Sequence, residues 1–144
     1  MPWSIEEKVK MMARLRTVAA AVLFLFGTTF LWFMPSYLGT GTAVEGASWS
    51  VIQALVLATV ISYAAAAWGL YKAGAWWKPV TIGASILGAL VLPLWWIAAS
   101  SMTGVPNMAA NLALHAAGIA VVVVVLLLVP SLARGLDRRL VAHP

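Results

Sequence analysis

Residues 107–130 read NMAANLALHAAGIAVVVVVLLLVP, a run that opens on polar residues, holds His115 among alanines and leucines, and ends in unbroken valine and leucine. Between positions 108 and 129 there is no Asp, Glu, Lys or Arg. A hydrocarbon core about 30 Å thick takes roughly 20 apolar residues per helical crossing, so this stretch is long enough to span. The same reading applies to 17–37, 49–71 and 79–99, which are equally free of those residues. All four are continuous apolar runs and lack the apolar/polar alternation of a membrane β-strand. The expected fold class is all-α, an integral membrane bundle of four transmembrane helices forming a single polytopic domain over 1–144.

Composition agrees. Apolar residues make up 63% of the chain and charged residues 9%, whereas soluble domains carry roughly a quarter charged residues. The positions of the charges also carry an orientation. Lys8, Lys10, Arg14 and Arg16 precede the first span, Lys72 and Lys78 lie in the second connection, and Arg134, Arg138 and Arg139 lie in the C-terminal tail. The first and third connections hold no Lys or Arg at all. Short basic loops stay on the cytoplasmic side, so the expected protein is multi-pass with both termini cytoplasmic. The net charge of +5 then follows from topology and from attraction to anionic headgroups. A nucleic-acid partner is not expected, because that role needs basic residues clustered on a folded water-facing surface.

The N-terminal segment 4–15 reads as a short interfacial helix of its own. Ser4 and Glu7 have capping-box spacing, and Ile5, Val9 and Met12 recur at helical intervals opposite Lys8 and Arg14. Such a piece suits the inner headgroup layer. Basic residues before an apolar run also suit a signal peptide, but WFMPSYLG at the end of the span offers no small-x-small cleavage site. A retained anchor is therefore expected.

Aromatic residues cluster at the ends of the spans. Trp68, Tyr71, Trp76 and Trp77 flank the basic end, while Trp32, Tyr37, Trp49, Trp95 and Trp96 lie toward the other, the pattern of two interfacial belts. The chain has no cysteine, so disulfides, thiolate metal sites and cysteine redox chemistry are excluded. Small residues recur at four-residue spacing at Ala84 and Gly88 and at Ala109, Ala113 and Ala117, which allows close helix approach. Pro93 should loosen helix three near Trp95.

His115 is the one ionisable group of its kind inside a span, and such groups are functional candidates. Asn111 lies one turn away on the same helix face. The upper half of helix four is expected to pack inward and the valine-rich lower half to meet lipid. Gln53, about one turn inside helix two, and Glu45, the acid of the outer connections, complete a candidate ligand cluster with His115 and Asn111, walled by Trp95 and Trp96. Hydrogen-bond glue between helices is the competing reading of these polar side chains. No catalytic residue and no metal site is expected. A haem held by two histidines is unsuited, since His143 lies in the tail on the opposite side. A single-histidine pigment or haem ligand, or copper with Met34, Met102 and Met108, leaves the cofactor open.

In length and helix number the chain resembles the small multidrug-resistance transporters, but TVAAAVLFLFGTTFLWFM lacks the glutamate which that resemblance requires in helix one. It is also similar in size to vitamin K epoxide reductase relatives and to the glutathione-using four-helix family. The first resemblance implies paired cysteines and the second charged residues within the helices, and the chain has neither. The expected function is a small non-catalytic membrane subunit or scaffold that packs on other membrane helices or on its own copies. Two alternatives stand beside it. One is an oligomeric small-molecule or ion transporter using the outer pocket and a path past Thr28, Thr59 and Ser62, and the other is a membrane enzyme or cofactor-binding subunit using His115.

Overall fold

The computed structural model describes residues 2–34, 47–102, 105 and 107–128. Helix α1 spans Ile5–Thr29 and tightens into a 3₁₀ turn over Phe30–Phe33. Helix α2 spans Ala47–Tyr71, α3 spans Trp77–Ser100, and α4 spans Met108–Val121 and continues as a π-helical segment over Val122–Leu128. All four are long and apolar enough to cross a membrane, and no strand occurs among the described residues.

The N-terminal stretch differs from the expectation of a separate interfacial helix. The capping box forms, with Ser4 Oγ accepting from the Glu7 amide at 3.2 Å and the Glu7 carboxylate accepting from the Ser4 amide at 2.8 Å. From there the helix runs unbroken into the apolar span. No glycine or proline interrupts 5–26, and one seam of shielded residues continues along the whole length: Val9, Met12, Arg16, Ala20, Leu23, Gly27 and Phe30. Spacings of three and four keep that seam on one helix face, so Val9 and Met12 continue the face on which Ala20, Leu23 and Gly27 are buried.

Three close approaches fix the register. A Cβ on Gly27 of α1 would overlap Tyr63 of α2, one on Gly88 of α3 would lie 2.8 Å from the Phe30 ring, and one on Gly118 of α4 would overlap the Phe26 ring. Phe30 at Gly88 and Phe33 edge-on to Trp95 at 5.0 Å run α1 parallel to α3. Phe26 at Gly118 and Thr29 at His115 run α1 antiparallel to α4. The N-terminus of α1 therefore shares one end of the bundle with the α2–α3 turn, which brings Lys8, Lys10, Arg14 and Arg16 to the same end as Lys72 and Lys78.

The buried stripe of α3 is Trp77, Thr81, Ala84, Ser85, Gly88, Val91, Trp95 and Ala99. Trp77 and Trp95 are thus core residues, as is Trp49, and not the belt residues their end positions suggested. Trp32, Trp68, Tyr71, Trp76 and Trp96 are exposed, and the Lys72 ammonium sits 4.9 Å from the Trp68 ring centre. Helix α3 continues through Pro93, which is exposed. The tie between α2 and α3 is polar and fully internal. Ser85 Oγ donates to the Thr81 carbonyl at 2.8 Å, so the 3.0 Å contact with Tyr63 has the phenol as donor.

The turn after α2 closes with a Schellman motif. The Gly74 amide donates to the Gly69 carbonyl at 2.8 Å and the Ala73 amide to the Leu70 carbonyl at 3.1 Å. Ala73 occupies the left-handed position, with φ of 54°, where a side chain costs about 1–2 kcal/mol. Ala73→Gly should therefore raise unfolding free energy by about 1 kcal/mol, read from reversible denaturation in mixed micelles.

Candidate functional site

Helix α4 packs on the bundle through partly buried Met108, Leu112 and Ile119 and through one buried side chain. His115 is 7% exposed and is the one buried side chain in Met108–Val121. The upper half of α4 is accordingly more open than expected, with Ala109, Ala113, Leu114, Ala116 and Ala117 all exposed, whereas Val122 in the lower half is buried. The reason is that the inward stripe, Asn111, His115, Gly118, Ile119 and Val122, runs the full length of the helix at spacings of three, four and one.

The imidazole lies in a cage built by α1. Its ring centre is 4.5 Å from Phe33 and 5.0 Å from Phe30, both edge-on, and 6.5 Å from Phe26. Residues 26, 30 and 33 share a face at helical spacing, and the 3₁₀ turn brings Phe33 over the ring. Nδ1 lies 2.7 Å from the Asn111 carbonyl, one turn up its own helix, and Nε2 lies 3.2 Å from the Thr29 carbonyl on α1. Each aromatic contact contributes about 0.5–1.5 kcal/mol, so the cage and the carbonyls together clamp α4 to α1.

Beside the clamp is a crevice of about 460 Å³ lined by Thr28, Thr29, Leu31, Trp32, Asn111 and His115. The structure thus brings His115 and Asn111 together and adds Thr28 and Thr29, which sit at the C-terminal end of α1. The Thr28 hydroxyl donates to the Leu25 carbonyl at 2.7 Å and the Thr29 hydroxyl to the Phe26 carbonyl at 2.6 Å. Asn111 Nδ2 is shielded and has no hydrogen-bond partner among the described residues.

Gln53, Trp95 and Trp96 lie apart from this crevice. Gln53 is half-buried on α2, between the core residues Ile52 and Val56. Trp95 is buried behind Phe33, and so touches the cage from its far side. Trp96 is exposed and lines a separate apolar groove of about 590 Å³ with Leu92, Pro93, Ile97, Leu112, Ala113 and Ala116. Glu45 lies outside the described residues. Thr59 is fully buried and donates to the Leu55 carbonyl at 2.7 Å. Among the described residues no group of three His, Asp or Glu is placed to hold a metal ion. Comparison with known protein families, with curated proteins and with solved structures found no match to this chain.

Proposed function

We propose that this chain is a small non-catalytic membrane subunit, oriented with both termini in the cytoplasm, that docks another transmembrane helix against α3 and α4. The observation that carries the reading is the unused small-residue face of α4. Ala109, Ala113 and Ala117 are exposed, and Ala113 opens onto the apolar groove floored by Leu112 and walled by Trp96 and Ile97. Within membranes, helices associate through close packing of small residues, because lipid supplies no hydrophobic drive. A stripe of this kind consumed inside the bundle would need no partner; here it faces outward. The orientation rests on the gathering of basic residues at one end of the bundle.

The test is native mass spectrometry on the protein gently extracted from its host membrane, beside an Ala113→Trp variant. The expected result is a particle heavier than the 15.3 kDa chain that falls to the single chain when tryptophan fills the groove. Masses in multiples of one chain identify copies of itself, and other masses identify a different subunit. A single chain from the unaltered protein would overturn the reading.

A further inference from the structure

Among the described residues, the crevice between α1 and α4 is rich in hydrogen-bond acceptors. A neutral imidazole holds one N–H, yet both ring nitrogens of His115 face carbonyl oxygens, at 2.7 Å and 3.2 Å. Whichever nitrogen carries the proton, the other points a lone pair at a carbonyl lone pair. The hydroxyls of Thr28 and Thr29 have already donated their protons to their own helix, which leaves both oxygens as acceptors at the crevice wall. Beside them stand two donor groups of the described lining, the unpaired Asn111 Nδ2 and the indole N–H of Trp32.

We propose that this crevice binds the neutral hydroxyl head of a membrane-soluble amphiphile, an alcohol or a phenol on an apolar body, reaching it from the bilayer. An O–H group both gives a proton and accepts one, which matches the lone pairs of Thr28 and Thr29 standing beside the Asn111 and Trp32 donors. The described lining disfavours other heads. Among the described residues an anion would meet carbonyl, hydroxyl and imidazole lone pairs with no Lys or Arg, and an ammonium would be desolvated with no Asp or Glu. Access is lateral, since Thr29 and Trp32 are exposed on the flank of a spanning helix. A volume of about 460 Å³ accommodates a ring or a short length of chain behind the head.

The test uses the full chain in nanodiscs with isotope-labelled histidine, read by nitrogen NMR at the His115 ring, with His143→Gln to leave one signal. Two donor probes, para-octylphenol and decanol, are titrated beside their methyl ethers, which keep the body and lack the proton. The donors should move the unprotonated nitrogen of His115 saturably, and the ethers should bind about tenfold more weakly, the loss of one good hydrogen bond. Tighter binding of the phenol or of the alcohol then tells an aromatic from an aliphatic body. Thr29→Val, which keeps the shape and removes the hydroxyl, should weaken donor binding several-fold. Ethers that bind as well as their parents, no shift with any probe, undiminished binding in Thr29→Val, or a ligand-free ring with protons on both nitrogens would each overturn the proposal.

Discussion

Gly27→Leu should give a protein whose helices still form but whose α1 no longer seats on α2. The atom that a Cβ at position 27 would overlap is the Cβ of Tyr63, with Cγ 3.2 Å away. That neighbour cannot swing aside: Tyr63 is fully buried and its phenol is anchored to Ser85 on α3. The backbones themselves must therefore part. Gly27→Ala should already remove about 2–3 kcal/mol, the upper range for overpacking, and leucine should abolish a cooperative transition in mixed micelles. Two further glycines calibrate the measurement. Gly83 has nothing within 4 Å of the added carbon, so Gly83→Ala should be neutral or stabilising by about 0.5–1 kcal/mol. The nearest atoms to an added carbon at Gly118 belong to the ring of Phe26, which is half-buried where Tyr63 is fully buried, so its alanine variant should fall between the two. Equal effects at 27 and 83 would remove the α1–α2 approach from the account.

The second large effect is expected at His115. Truncation to alanine empties a cage formed by three phenylalanines and deletes the link from α4 to the Thr29 carbonyl. Large-to-small changes in packed cores cost about 2–5 kcal/mol, and interhelical hydrogen bonds in membranes contribute about 0.6–1.7 kcal/mol. Because α4 has no other buried side chain above Val122, the loss should fall on that helix alone. The expected outcome is protease or cysteine-labelling access along the α1–α4 seam, with the packing of α1, α2 and α3 intact. His115→Phe separates the two contributions. It refills the cage and lacks the nitrogen, so it should recover most of the stability while losing about 1 kcal/mol. A phenylalanine variant as open as the alanine one would mean that the carbonyl link, and not the cage, holds α4.

The spans were legible because charge-free apolar length is a one-dimensional property, and helix number follows from it directly. The pairing of Asn111 with His115 was legible for a similar reason, since an i, i+4 interval fixes a shared face within one helix. What faces His115 was not. Its partner is the Thr29 backbone carbonyl, and a carbonyl belongs to every residue, so no side chain announces it. Gln53 was a natural choice by polarity, yet the rotation of α1 about its axis decides the neighbour. The spacing of Phe26, Phe30 and Phe33 against Gly88 and Gly118 carried that rotation, as bulk on one helix opposite absence on two others. The tryptophans misled for another reason. A helix end is both where a belt residue sits and where a core stripe terminates, so Trp77 and Trp95 read as belt until the stripe of α3 was seen to pass through them.

The unbroken α1 also sets a relation between this protein and the thickness of its membrane. Ile5–Phe33 is 29 residues, about 43 Å at the α-helical rise, against about 30 Å of hydrocarbon. The excess lies at the end that bears Lys8, Lys10, Arg14 and Arg16, whose long stems can lie along the acyl boundary while their heads reach water. A thinner bilayer is met by tilting the rod, and a thicker one by drawing its basic turns toward the lipid. Since Phe26, Phe30 and Phe33 ride on the same rigid rod, either adjustment reaches the far end as a change in how α1 presents its aromatic face to α4.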